Sequence, residues 1–206
     1  MRTMSMCITV VLGLALAANP AGAVIMLNDG LTHEISTAMG DIVVYDGPSG
    51  EPTVVRLVAG ARAQDVGVFQ NSRFEMIAGE IEDGTLILWD HSEGEISGGR
   101  VSDDMMRFFD FSRLIITGGD IGPGFMTYGN SEVFIHGSNF QIDGAPVGYG
   151  PVPVPVGFLT GDLLVGGQIH CWFGILDDSS VTLVPEPASL ALLALGGLPL
   201  MRRRRR

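Results

Sequence analysis

The chain has 206 residues, 46% of them hydrophobic, and a formal net charge of −11, enough length and apolar content for one domain with a real core. Six of its twelve basic residues, Arg2 and Arg202 to Arg206, stand at the two ends. The rest of the chain sets six arginines (Arg56, Arg62, Arg73, Arg100, Arg107, Arg113) and no lysine against 23 acids, about −17, which excludes a nucleic-acid-binding body and predicts a solvated acidic surface.

Residues 1–23 read as a secretory signal. Arg2 supplies a positive start, Cys7 to Ala18 form an apolar helix of suitable length, and Asn19-Pro20 breaks it. Ala21 and Ala23 flank Gly22 as an A-x-A cleavage site, so the expected partners are the Sec translocon and signal peptidase, and Val24 becomes the mature N-terminus. Cys7 leaves with the signal, so Cys171 has no partner for an intrachain disulfide. It lies in the strand-like run from Ile169 to Phe173 and reads as a small buried residue.

Residues 24–183 form the body. Ile25 to Tyr45 fits a less regular first turn with Ile42 and Val44 pointing inward, a turn suited to capping an open end. Asp46 to Pro52 is a loop by its Gly, Pro and Ser content. A repeat then sets in. Ser72, Ser92 and Ser112 open equivalent segments at a constant spacing, and Thr53 and Ser131 open two more, each one position nearer to its neighbour. Two residues after each stand Val55, Phe74, Gly94, Leu114 and Val133. Four after stand Leu57, Met76, Ile96, Ile116 and Ile135. Alternation with period 2 places both sets on one face of a strand.

Gly60, Gly79, Gly99 and Gly119 follow, where a tight corner needs positive φ, and then Ile81, Val101, Ile121 and Phe140 turn inward. A second inward pair is expected at Val66 and Val68, Leu86 and Leu88, Met106 and Phe108, Met126 and Tyr128. So short a unit with glycine corners cannot bury its apolar face alone, whereas stacked units align equivalent residues in columns. The fold class is therefore all-β, a parallel β-solenoid built from single strands with turns of about 20 residues. It is flanked by the signal helix and a C-terminal transmembrane helix. An antiparallel β-sandwich is the alternative, but it does not account for the constant spacing.

The Pro/Gly-rich insertion at 143–157 breaks the period, as a projecting loop or an arm along the side. Phe158 to Ile169 and Ser179 to Leu183 then close the body as strands.

Catalytic and cofactor sites are not expected. His33, His91, His136 and His170 lack zinc-ligand spacing, and His170 and Cys171, as neighbours on a strand, point to opposite faces. The chain has no Gly-x-Ser-x-Gly elbow, and its Gly-Gly pairs lack the lysine and helix of a phosphate loop. Glu82, Asp83, Asp103, Asp104 and Asp120 form at most an acidic strip holding calcium weakly.

Residues 184–206 have three parts in order. Val184, Pro185, Glu186 and Pro187 form an extended boundary, Ala188 to Met201 an apolar run, and Arg202, Arg203, Arg204, Arg205 and Arg206 a charged end. A full span takes about 20 apolar residues, so this membrane segment is short, and Pro199 shortens it further. The arginines stay in the cytoplasm and hold the preceding body outside.

This order of Pro-Glu-Pro motif, apolar helix and arginine cluster resembles the PEP-CTERM sorting signal of exported proteins of Gram-negative bacteria, a tail also called the ice-binding protein C-terminal domain. The resemblance implies an exosortase-type processing enzyme as partner, transient anchoring in the inner membrane, and delivery to the cell surface or extracellular matrix. The expected function is that of an exported structural protein without catalytic activity of its own. The alternative is an extracellular β-helix protein that binds or cleaves polysaccharide, an exopolysaccharide being its partner. A lyase or hydrolase would need carboxylates and arginine in a groove, and binding needs outward aromatic side chains, for which Trp89, Phe109 and Tyr128 are candidates.

Overall fold

The computed structural model describes residues 23–102 and 104–186. The signal segment up to Gly22, with Ala21, lies outside them, as do Asp103 and the tail from Pro187 through Ala188 and Met201 to Arg206. The described residues are all-β, with nineteen strands and no helix. Nearly all pairing is parallel between successive coils, and the chain winds into a β-solenoid of about 6 turns.

Each coil has three faces, named here in the order the chain visits them. Face A stacks Thr32–Ile35, Val54–Leu57, Arg73–Met76, the first halves of Glu93–Val101, Arg113–Ile121 and Glu132–Ile142, and finally Ser180–Pro185. Face B is short: Arg62–Ala63, Glu80–Ile81, the ends of Glu93–Val101 and Arg113–Ile121, and Ile169. Face C stacks Val24–Leu27, Asp41–Val44, Val66–Val68, Leu86–Leu88, Met105–Phe108, Gly124–Thr127 and the end of Gln168–Ile175.

The core follows from period 2. Val55, Phe74, Leu114, Val133 and Val181 form one inner column of face A, and Leu57, Met76, Ile96, Ile116, Ile135 and Leu183 the other; all are buried. Gly94 interrupts the first column without leaving a hole, because the methyl groups of Leu88 and Leu114 occupy the space its Cβ would need, each 2.8 Å from that position. At the corner from A to B, Gly60, Gly79, Gly99 and Gly119 have φ of 91°, 89°, 85° and 96°, as their spacing predicts.

Two expectations about the inner columns need correction. Met126 and Tyr128 do not point inward; the buried residues at these positions are Phe125 and Thr127. The corner before them, Gly122-Pro123-Gly124, has one residue fewer than its counterpart between Val101 and Met106, and a shift of one residue exchanges the faces of a strand. Phe140 is buried but leaves the face B column. The strand Glu132–Ile142 runs on past the corner and turns into a hairpin, and Ile169 takes the place next to Ile121.

The insertion is a cap. Val156–Leu163 pairs antiparallel with both Glu132–Ile142 and Gln168–Ile175, and Gly150–Pro151 pairs antiparallel with the last face A strand. Pro146, Pro151, Pro153 and Pro155 lack backbone donors, so this end cannot extend the ladder. The first coil does not cap the other end: Val24–Leu27 pairs with Asp41–Val44 alone among the described strands, and Val24 and Met26 are 60% and 62% exposed.

Candidate functional site

Stacking at about 4.8 Å brings outward side chains of equivalent positions into contact, so the surface is organised in columns. On face A one column alternates Arg73, Glu93, Arg113 and Glu132, and its neighbour runs Glu34, Arg56, Glu75 and Glu95. Arg56 lies 2.6 Å from Glu75, Arg73 lies 3.2 Å from Glu75 and 3.1 Å from Glu95, and Arg113 sits 4.7 Å from the ring centre of Phe134. On face B, Arg62 pairs with Glu82 at 3.1 Å and Arg100 with Glu80 at 3.7 Å. Arg73 and Arg113 thus share a register, but with Glu93 between them and acids on either side they are committed to ladders.

The corner from C to A has the order aromatic, Asp or Gln, x, Ser in three coils, with Gly129 following Tyr128 and Leu176 preceding Asp177 in the next two. Tyr45 stacks on Phe69 with ring centres 5.0 Å apart, Trp89 on Phe109 at 4.2 Å, and Phe109 on Tyr128 at 4.8 Å. Trp89, Phe109 and Tyr128 point outward, yet they lie face to face, so the ring faces a sugar would use are largely taken by neighbours. The next residues, Gln70, Asp90, Asp110 and Asp177, have φ near 60°, a conformation Asp tolerates. The side chains of Gln70 and Asp90 accept hydrogen bonds from the backbone N–H of Asp46 and Gln70 in the preceding coil. Inside the corner stand Ser72, Ser92, Ser112 and Ser131, fully buried; Ser131 donates to the Phe108 carbonyl and Ser92 accepts from the Trp89 N–H. Ser72, which donates to Asp46, Ser92 and Ser131 thus serve the turn, while the buried Ser112 hydroxyl has no hydrogen-bond partner among the described residues.

The corner from B to C is irregular. Arg100, Asp120 and Gln168 point outward in successive coils of face B, and Ser102, Gly122 and His170 follow at the corner. Gly122 has no side chain, and a Cβ there would meet only the His170 carbonyl oxygen, at 3.5 Å. The result is a notch of about 450 Å³ between the coil of Arg100 and Ser102 and the coil of Gln168 and His170. Beyond it, Trp172 is the next outward residue after His170 and is 55% exposed. Its register partner is Gly124, and on the other side Phe158 meets its ring at 70° with centres 5.2 Å apart. Gln168 also donates to Asp162, whose carboxyl is held below the usual range by hydrogen bonds from Asn139 and Gln168.

Cys171 points inward from the same strand and is buried, and burial pushes its thiol up to about 12. His170 is exposed on the opposite face. Peptide mapping after iodoacetamide at pH 8 is expected to leave Cys171 unmodified in the native chain and modified in denaturant; rapid native labelling would contradict its burial. His136 is lowered by burial alone. Among the described residues no group of three His, Cys, Asp or Glu side chains is placed to share a metal ion; Glu82 is tied to Arg62, and Asp120 stands in register with Arg100.

The expected sorting motif begins inside the sheet. Val184 and Pro185 close the strand Ser180–Pro185, in register with His136 and Gly137, and the Glu186 carboxylate accepts a 3.0 Å hydrogen bond from the Ser138 hydroxyl. Ala23, the described residue of the expected signal cleavage site, lies directly before the first strand. No family model matches the chain, and neither the curated proteins nor the solved structures contain a significant match to it.

Proposed function

We propose that this chain is an exported structural protein of the cell surface or extracellular matrix, sorted through its C-terminal signal and without catalytic activity of its own. The observation that carries the reading is the three-part tail, in fixed order, joined without a linker to the last strand of an acidic solenoid at Val184 and Pro185. A signal peptide ending at Ala23 delivers the body across the inner membrane. The arginines from Arg202 to Arg206 hold it there until an exosortase-type enzyme processes it near Glu186. The mature body, with six arginines against 23 acids, then stays soluble by self-repulsion. Support for a scaffold comes from the surface itself, where five of its six arginines stand in ion pairs or over an aromatic ring.

Fractionation of a producing Gram-negative host is the test. The native chain is expected in the surface or medium fraction, and a chain with Arg202 to Arg206 replaced by glutamine is expected to lose its membrane-held intermediate. Recovery of intact protein only in the cytoplasm would contradict the proposal. The second reading, a polysaccharide-binding solenoid, is favoured by one specific feature, the notch that brings Arg100, Asp120, Gln168 and His170 together.

A further inference from the structure

We infer that face C is a docking surface for a second copy of this chain. Faces A and B carry charge in ladders, whereas the middle of face C is apolar. Its central outward column carries Val43, Gly67, Ile87, Arg107 and Met126 in successive coils, without an acid. The column toward the C-to-A corner is the stack of aromatic rings that includes Trp89, itself 39% exposed. Ring edges and aliphatic side chains thus make a continuous strip along the solenoid, and the exposed Met26 prolongs it into the first coil.

The area suits such a partner. Face C stacks seven strands, from Val24–Leu27 to Gln168–Ile175. At about 4.8 Å per strand it is about 30 Å long, and its outward columns with their side chains span about 20 Å, roughly 600 Å² per copy. Two copies would cover about 1,200 Å², the lower end of specific interfaces. Two sheet faces of this kind pack about 10 Å apart. Meeting through face A or B would instead press together the charged ladders of two strongly acidic bodies.

Arg107 sets the register. It stands between Ile87 and Met126 and is exposed. Alone among the six arginines of the body, it has neither an ion pair nor a ring beneath it among the described residues. Asp65 directly precedes Val66–Val68, the face C strand two coils earlier; it too is exposed, and the Thr85 N–H holds its carboxylate at 2.7 Å. A two-fold axis along the strands at Ile87 brings two copies together with their coils in opposite order, and such a contact closes at two. Ile87 then meets itself, Met126 meets Val43, and Arg107 meets the coil of Gly67. There the Phe69 ring covers Gly67, 2.9 Å from the position its Cβ would take, and Asp65 stands beside it. Arg107 of each copy is thus set between a carboxylate and an aromatic ring of the other, the two kinds of partner it lacks in its own chain.

The pairing does not depend on export, so failure of one reading leaves the other standing. Sedimentation velocity of the purified full-length chain, in a mild non-ionic detergent that disperses its apolar ends, is expected to show a dimer with a Kd of about 10 µM. Arg107→Asp and Asp65→Arg are each expected to weaken it about tenfold or more, and the double variant Arg107→Asp/Asp65→Arg to recover most of that loss. Ile87→Glu, at the axis, is expected to leave monomer. Ile77→Glu, the same change at an exposed residue outside face C, is expected to leave the dimer intact. Circular dichroism establishes that each variant is folded; if Ile87→Glu is not, the charge exchange at the exposed positions 65 and 107 decides. The inference is overturned by a chain that stays monomeric at about 100 µM, which would leave face C to a different kind of partner. It is also overturned by a dimer that survives Ile87→Glu or the single charge changes, by a double variant as weak as the single ones, or by open-ended assemblies, which would place the contact at the exposed first coil.

Discussion

Replacing Gly99 with alanine is expected to lower the unfolding free energy by about 3 kcal/mol, one of the two largest single-site losses anticipated here. Two effects combine. Gly99 has φ of 85°, a left-handed conformation that costs an L-residue roughly 1–2 kcal/mol. A methyl group there would also sit 2.6 Å from the carbonyl oxygen of Gly79 in the preceding coil, and relieving that overlap adds roughly 1–3 kcal/mol. Two other glycines separate the contributions. Gly144 has φ of 79° but open space around its Cβ position, so Gly144→Ala carries the conformational cost alone, about 1 kcal/mol. Gly148 has neither feature, and Gly148→Ala is expected to change stability by less than about 0.5 kcal/mol. Urea denaturation of the three variants checks the ranking, and equal losses at Gly99 and Gly148 would contradict the stacked corner.

Phe125→Ala is the other large effect, a loss of about 3–5 kcal/mol. Phe125 is fully buried on face C, with the rings of Phe108 and Phe173 centred 6.3 Å and 6.1 Å away in the coils on either side. Truncation leaves a cavity between three successive coils, and a solenoid has no second layer to close over it. Phe173 lies on the strand Gln168–Ile175, which the chain reaches only after the hairpin excursion, so this contact ties the cap to the coils before it. Hydrogen exchange of the variant is expected to rise first in Val156–Leu163 and Gln168–Ile175, while Val54–Leu57 and Arg73–Met76 stay protected. A loss below about 1 kcal/mol would mean that the shorter corner had not turned Phe125 inward.

That corner also shows where a sequence stops specifying a coil. The period is legible because stacking demands the same chemistry at each turn. Leu57, Met76, Ile96 and Ile116 are all apolar, and Gly60, Gly79, Gly99 and Gly119 all turn left-handed. One residue fewer between Ile121 and Phe125 exchanged the two faces of the next strand. Phe125 and Thr127 went inside and Met126 and Tyr128 outside, although both alternations carry an apolar residue in each register.

The aromatic column at the C-to-A corner was available to the same reading. Phe69, Trp89, Phe109 and Tyr128 recur with the spacing of the serines that follow them, but an outward column does not announce itself by hydrophobicity. The cap was legible as an interruption and not as a structure. Its prolines show that it cannot pair normally, but not that Val156–Leu163 folds back against Glu132–Ile142. The notch was not legible at all, because it exists only where His170 is carried next to Gly122 across that excursion.

Charge follows the repeat as well. Five of the six arginines of the body stand in register with an acid of a neighbouring coil, as Arg56 does with Glu75 and Arg100 with Glu80 and Asp120, whereas Arg107 lies between Ile87 and Met126. Such exposed pairs are individually worth roughly 0–1 kcal/mol, so their part is to order like-charged coils rather than to stabilise them strongly. The five terminal arginines have no such place in the repeat. Under the proposal above they belong to a removable handle that follows the last strand, near the point where the Ser138 hydroxyl donates to the Glu186 carboxylate.

The central claim, an acidic solenoid released outside the cell after loss of both ends, is tested most directly by the intact mass of the protein recovered from the surface or medium of a Gram-negative host that carries an exosortase. The account predicts a chain that begins at Val24 and ends near Glu186, without Arg202 to Arg206. A surface form that keeps both ends, or full-length protein confined to the cytoplasm, would contradict it.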